Sequence, residues 1–224
     1  VVDAIRAVSP EARCVGVGQA GAWSETMLAH CAGHMELISE HLYWQRVENV
    51  AKHVRVAVDQ IERLAGLHRG YRESIAGLAG KDIRIALDEW NYWYGPHVFG
   101  ELGVRYFLKD ALGVAAALNE FARHSDMYFM ANYAQTVNVI GAVKTTKTDA
   151  CFATTGLALA LYRRHFGDAR RRDPFGPAAY RPCPLGLSAG AALAHVVEHG
   201  RDDRGDGDGE EGPRHAREHT AGGQ

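Results

Sequence analysis

The spacing of apolar and polar positions changes several times along this chain, and each change marks an element. Residues 1–8 read as the end of a helix, which Ser9-Pro10 breaks. Arg13 to Val17 is a short apolar strand. Ser24 is placed to cap a helix whose apolar positions are Met27, Leu28 and Cys31, and Met35 to Tyr43 returns to strand spacing. From Arg46 to Leu67 the apolar residues Val47, Val50, Val54, Val58, Ile61 and Leu64 keep helical spacing. A strand follows over 82–90, then a helix from about Val104 to Arg123 with the face Leu108, Leu112, Ala115 and Leu118. Met127 to Asn132 is a further strand, and a helix over Cys151 to His165 closes the series. A leading helix followed by four rounds of strand and helix predicts an α/β fold with a parallel sheet. Four rounds fit half of an eight-stranded (β/α) barrel or a small doubly wound sheet.

Past Gly167 the pattern stops. "DARRRDPFGPAAYRPCPLG" is basic and proline-rich, and the last 25 or so residues are nearly all Gly, charged residues and His, too few apolar groups to order themselves. The expected organisation is therefore a folded unit over 1–167 and a disordered Pro/Gly/charge-rich tail over 168–224. The abrupt change also fits translation out of frame beyond about Asp168, which resequencing the coding DNA would settle.

Composition narrows the function classes. Over 224 residues, 25 Lys and Arg stand against 27 Asp and Glu, a net charge of −2, which argues against a nucleic-acid surface. No run of about 18 apolar residues exists, so no membrane span is expected. Cys14, Cys31, Cys151 and Cys183 form no CxxC pair and read as buried free thiols. The start has no initiator Met and reads as the middle of a domain, so the compartment is left open.

Several motifs invite chemistry. "GVGQAG" at 16–21 matches GxGxxG after a strand and before a helix, with Glu40 at about the distance of a ribose-binding acid. A glycine-rich turn explains it as well, and a dinucleotide-binding domain stays a remote alternative. "HCAGH" places His30 and His34 four apart, but Gly33 breaks the helix that would align them and no third ligand is evident, so neither metal nor cofactor is expected. In "ISEHLYW" alternation puts Ser39, His41 and Tyr43 on one side of the strand and Ile38, Glu40 and Leu42 on the other. In "IRIALDEWN" it groups Ile83, Ile85, Leu87, Glu89 and Asn91, and sends Asp88 with Arg84 and Ala86 toward the helices. Glu89 then projects at the strand's C-terminal end, where barrel enzymes place their chemistry, and is a candidate nucleophile.

The segment "ALDEWNYWYG" resembles the nucleophile segment of the α-L-arabinofuranosidases of glycoside hydrolase family 51. "ISEHLYW" resembles the preceding strand of that family, and "ANYAQTVNVIGAVKTTKTDACFATTGLALALYRRHFG" the stretch around and after its last barrel strand. The three blocks stand in the family's order, and the resemblance runs from about residue 1 to 167.

This resemblance implies the C-terminal half of a (β/α)8 TIM barrel, about four β/α units carrying strands five to eight. It implies a retaining glycoside hydrolase that releases terminal arabinofuranosyl groups from arabinan- or arabinoxylan-type chains. Glu89 would be the nucleophile and Tyr43 would hydrogen-bond its carboxylate. His41 and Trp93 would line the sugar subsite, and Asn91 and Gln135 would meet sugar hydroxyls. The expected partner is an arabinose-containing oligo- or polysaccharide, with room for a homo-oligomer of the full-length protein. The family's acid/base follows an Asn at the end of the fourth strand. The only Asn-Glu here, Asn119-Glu120, falls inside a helix. The chain is thus expected to be a fragment, nearly inactive alone, and the rival reading is a fragment that only binds arabinosides.

Overall fold

The computed structural model describes residues 1–97 and 102–166, all within the compact unit Val1–Ala179. The expectations for the tail and for Cys183 lie outside the described residues. The elements run α1 (Val2–Val8), β1 (Val15–Gly16), α2 (Ala22–Cys31), β2 (Leu37–Trp44), α3 (Val50–Ser74), a 3₁₀ turn (Ala76–Leu78), β3 (Arg84–Tyr92), α4 (Leu108–Arg123), β4 (Tyr128–Tyr133), β5 (Val143–Thr145), β6 (Ala150–Phe152) and α5 (Thr154–Phe166). Strands β1 to β4 form one parallel sheet in sequential order, and β5 and β6 form a separate antiparallel hairpin. Parallel neighbours require crossovers, and α2, α3 and α4 provide them.

The helix boundaries follow local chemistry that apolar spacing alone misplaced. Helix α3 starts at Val50, not Arg46, because the Asn49 side chain accepts from the Lys52 N–H at 3.0 Å. Helix α4 starts at Leu108, where Asp110 in its first turn accepts from the Phe107 N–H at 2.6 Å. Ser24 is not a cap. It lies inside α2, fully buried, and Gly21 precedes the helix at φ 118°.

The buried stripes also differ from those expected. In α3 the inward face is His53, Ala57, Ile61, Leu64, Ala65, His68 and Tyr71, while Val50 is exposed. In α4 it is Asp110, Gly113, Val114, Ala117, Glu120 and Phe121, with Leu108 and Leu112 outside. Four buried polar residues, His53, His68, Asp110 and Glu120, therefore stand where an apolar pattern would look for aliphatic ones. Cys151 belongs to β6 and is exposed, and Cys14 and Cys31 are half-buried, so the expectation of buried thiols fails for these three.

The main core lies between the sheet and helices α3 and α4, with Ile61, Leu64, Ile85, Leu87, Trp90, Tyr92, Val114 and Phe121 in one cluster. A smaller cluster of Leu28, Ile38, Tyr71, Leu78 and Ile83 seats α2. Gly113 lets α4 approach the sheet, since a Cβ there would fall 2.0 Å from the Tyr92 hydroxyl.

Candidate active site

Two strands and one irregularity create the site. On β2 the alternation is regular. Glu40 reaches His68 of α3, so even-numbered positions face the helices, and Ser39, His41 and Tyr43 face the other way. On β3 a bulge intervenes: Glu40 pairs with Leu87 but His41 pairs with Glu89, leaving Asp88 as the extra residue. Paired neighbours point to the same side. Ile85 and Leu87 therefore face the helices with Ile38 and Glu40, and Trp90 and Tyr92 do so with Leu42 and Trp44. Arg84, Ala86, Glu89 and Asn91 share the opposite, inner face. The expected grouping of Ile83, Ile85 and Leu87 with Glu89 is thus corrected, although Glu89 does project inward beside His41 and Tyr43.

At the C-terminal ends of these strands the Tyr43 hydroxyl donates to Glu89 Oε2 at 2.7 Å. His41 Nδ1 lies 3.7 Å from the same oxygen, and the Glu89 side chain is 46% exposed. Burial, with the Glu89 carboxylate as the next cause, pushes the Tyr43 phenol well above its ordinary value, so it remains a donor. The Trp93 ring stands edge-on to Tyr43 with centroids 5.3 Å apart, and the Trp93 backbone N–H donates to the Trp44 carbonyl at 2.9 Å. An accessible carboxylate, one donor fixed on it, an imidazole alongside and an indole wall are thereby collected on one face.

Gln135 and Asn91 have different standings. Gln135 is exposed just beyond β4, with its carbonyl accepting from Ala142 N–H and its Nε2 donating to the Val137 carbonyl at 3.1 Å. Asn91 is wholly buried. Its Nδ2 donates to the carbonyls of Ala134 (2.6 Å) and Ile140 (2.8 Å), and its Oδ1 accepts from Tyr92 N–H (2.7 Å). The expectation that Asn91 meets sugar hydroxyls is therefore corrected: its amide is consumed in holding the loop that carries Gln135 against the end of β3.

The family description "Alpha-L-arabinofuranosidase C-terminal domain" matches residues 88–170. A probable α-L-arabinofuranosidase C of Aspergillus flavus is 43% identical over 83 residues, covering 36% of this chain and 16% of that protein. An intracellular exo-α-(1→5)-L-arabinofuranosidase of Halalkalibacterium halodurans is 26% identical over 149 residues, 56% of this chain and 28% of that protein. Among solved structures, an α-L-arabinofuranosidase from Thermotoga maritima in an arabinose complex superposes with a TM-score of 0.67 at 27% identity, over 73% of this chain and 34% of that one. A thermostable family-51 α-L-arabinofuranosidase from Thermotoga petrophila gives 0.62 at 25% identity, over 71% and 33%. Over residues 88–170 the chain is therefore similar to the C-terminal domain of α-L-arabinofuranosidases, and its fold is similar to that of family-51 structures. It spans 16 to 28% of the length of these two sequence relatives.

Sequence reasoning missed two buried polar clusters behind the site. Glu40, 1% exposed, accepts from the Ser24 hydroxyl (2.6 Å), the Ala20 N–H (2.7 Å) and His68 Nε2 (2.9 Å). In "GVGQAG" the Ala20 N–H is given to the protein's own Glu40, the Gln19 N–H to the Ser24 hydroxyl and the Gly21 N–H to the Tyr71 hydroxyl. Gly18 is required because a Cβ would fall 2.0 Å from the Ser39 carbonyl. The dinucleotide alternative loses its physical basis, since the acid is taken by Ala20, Ser24 and His68 and the Gln19 and Gly21 N–H groups by the Ser24 and Tyr71 hydroxyls. The second cluster joins His53, Asp110 and Tyr94. The signal for both was a polar residue on the stripe that helical spacing turns inward. Two surface grooves of about 550 and 340 Å³ lie elsewhere, the first beside Arg6, Glu36 and Asp82, the second beside Val2, Cys14 and Met35, and neither includes a candidate residue.

Proposed function

We propose that this chain forms the C-terminal half of a (β/α)8 barrel in a retaining α-L-arabinofuranosidase, with Glu89 as its nucleophile. The observation that carries the reading is the Tyr43–Glu89 hydrogen bond at the ends of adjacent parallel strands, on the face away from the helices. Four sequential β/α units, the likeness to family-51 structures and the family's order of motifs support the barrel half.

In the reaction, a Glu89 oxygen attacks the anomeric carbon of a terminal arabinofuranosyl group as the bond to the leaving oxygen breaks. A second carboxyl group about 5–5.5 Å away would protonate the leaving oxygen and later activate water. Glu40 is turned to the helices and Glu120 is held by Arg123 and His124 within α4, so neither suits that role. The acid/base is therefore assigned to a part of the enzyme outside these residues. Tyr43 keeps Glu89 aimed, His41 and Trp93 line the sugar, and Gln135 reaches it from the end of β4. The substrates are arabinan- or arabinoxylan-type chains with terminal arabinofuranosyl groups. Without the acid/base, the chain alone binds arabinosides but does not turn over unactivated ones.

A 2,4-dinitrophenyl α-L-arabinofuranoside separates these steps, because dinitrophenolate departs with its electron pair and needs no proton. The 224-residue chain is expected to release up to one equivalent of phenolate and then stall, with added azide restoring release by attacking the adduct. No release above that of Glu89→Gln would overturn the reading.

A further inference from the structure

We propose that the buried pair His53 and Asp110 is a positioning device for the sugar-binding wall, fixing the attitude of Trp93 beside Tyr43 and Glu89. The inference rests on the reading of Glu89 as the reacting group and extends it to residues that touch no substrate. Both side chains are fully buried, on different helices, α3 and α4. Asp110 Oδ1 meets His53 Nε2 at 2.9 Å, and Oδ2 accepts from the Tyr94 hydroxyl at 2.8 Å and the Phe107 N–H at 2.6 Å. His53 Nδ1 accepts from the Val47 N–H at 3.1 Å, which places the ring's proton on Nε2, toward Asp110. A neutral imidazole donating to a carboxylate is the arrangement this assigns. Burial, which lowers the His53 pKa below its ordinary value, agrees with it.

What the pair holds is the backbone on both sides of Trp93. The His53 ring stacks on Tyr92 with centroids 4.2 Å apart, and the Tyr92 hydroxyl donates to the His53 carbonyl at 2.9 Å. Tyr94 is held by Asp110 itself. Trp93, between them, packs its ring on Tyr43, whose hydroxyl is on Glu89. The loop after β2 is tied to the same device through Val47, whose carbonyl also accepts from Lys109 Nζ at 2.9 Å. A cap on α4 alone would need one of these bonds. Three donors from α3, the segment after β3 and the start of α4 converge on one carboxylate behind the site. A fourth segment joins through Val47 and His53, and this convergence points to alignment of the wall with the nucleophile.

The test uses Tyr94→Phe, which removes one hydroxyl and leaves Asp110 its other partners, and Asp110→Asn, which keeps the volume. Tyr128→Phe is the control: it removes a similarly buried hydroxyl, bonded to the Ile61 carbonyl at 2.8 Å, away from the site. The dinitrophenyl arabinoside concentration giving half-maximal adduct formation is expected to rise about fivefold in Tyr94→Phe and more in Asp110→Asn, with the saturating rate within about twofold. Tyr128→Phe is expected to change neither. An unchanged half-saturating concentration in both site variants, or an equal rise in the control, overturns the proposal.

The indole N–H resonance of Trp93, assigned with Trp93→Phe, gives a second readout independent of the chemistry. It should shift in Tyr94→Phe and stay in Tyr128→Phe, and an unmoved resonance overturns the proposal. Should the unmodified chain form no adduct, the Glu89 reading falls while the Trp93 resonance still decides whether the pair positions the wall.

Discussion

Replacing Tyr43 with Phe removes a single oxygen, the one that donates to Glu89 Oε2 at 2.7 Å. The ring remains and keeps its edge contact with Trp93 at 5.3 Å, so the shape of the sugar wall is retained. A hydrogen bond to a charged acceptor contributes about 1.5–3 kcal/mol. Glu89 is 46% exposed, so water replaces part of the lost donor and the low end applies. About 1.5 kcal/mol corresponds to roughly a tenfold slower attack if the bond serves mainly to aim the carboxylate. The assay is single-turnover release of dinitrophenolate by the 224-residue chain across donor concentrations. The saturating rate should fall about tenfold while the half-saturating concentration stays within about twofold, the opposite split from Tyr94→Phe. Global stability should change by less than about 1 kcal/mol, because neither partner is left buried and unpaired. A rate within twofold of the unmodified chain would refute the claim that Tyr43 aims the nucleophile. A large stability loss would show instead that the hydroxyl belongs to the scaffold.

Other consequences are structural. Glu40→Gln leaves three donors facing an amide inside the core and should cost about 3 kcal/mol or more in urea unfolding, whereas a change under about 1 kcal/mol would mean that Glu40 is not the anchor of the 16–21 loop. Gly18→Ala drives a methyl into the Ser39 carbonyl and should destabilise by about 1–3 kcal/mol, read as a lowered melting temperature. His53 is held neutral by burial, so its folded pKa lies below the unfolded value of about 6.5. The unfolded chain then binds the extra proton, and this contribution is present above about pH 6.5 and lost as pH falls through that value toward the folded pKa. Its slope is at most about 1.4 kcal/mol per pH unit, and urea midpoints between pH 7.5 and 5.5 should depend less on pH in His53→Gln.

The order of elements was legible because a parallel sheet buried by helices leaves two clean signals, short apolar runs and helical spacing between them. Boundaries were less so: Asn49 and Asp110 set the starts of α3 and α4 through side-chain bonds that apolar spacing does not register. The β3 bulge is the instructive case. Strict alternation from Ile83 to Asn91 put Glu89 on the inner face, but by placing Ile85 and Leu87 there too, whereas the extra residue Asp88 reverses the alternation between Leu87 and Glu89. A bulge has no period-2 signature, so the sequence could not reveal it. Asn91 was misjudged for a related reason: an amide at a strand end looks free to meet a ligand until the loop that returns over it, with the Ala134 and Ile140 carbonyls, is in place. The polar residues His53, His68 and Asp110 interrupt the apolar stripes, and their pairing partners lie 28 to 57 residues away.

The most direct test of the account is to isolate the sugar–protein adduct formed from the dinitrophenyl arabinofuranoside, digest it and locate the modified side chain by mass spectrometry. The account predicts an ester on Glu89 and no adduct in Glu89→Gln. A modification carried by Asp88, His41 or any other side chain would contradict it.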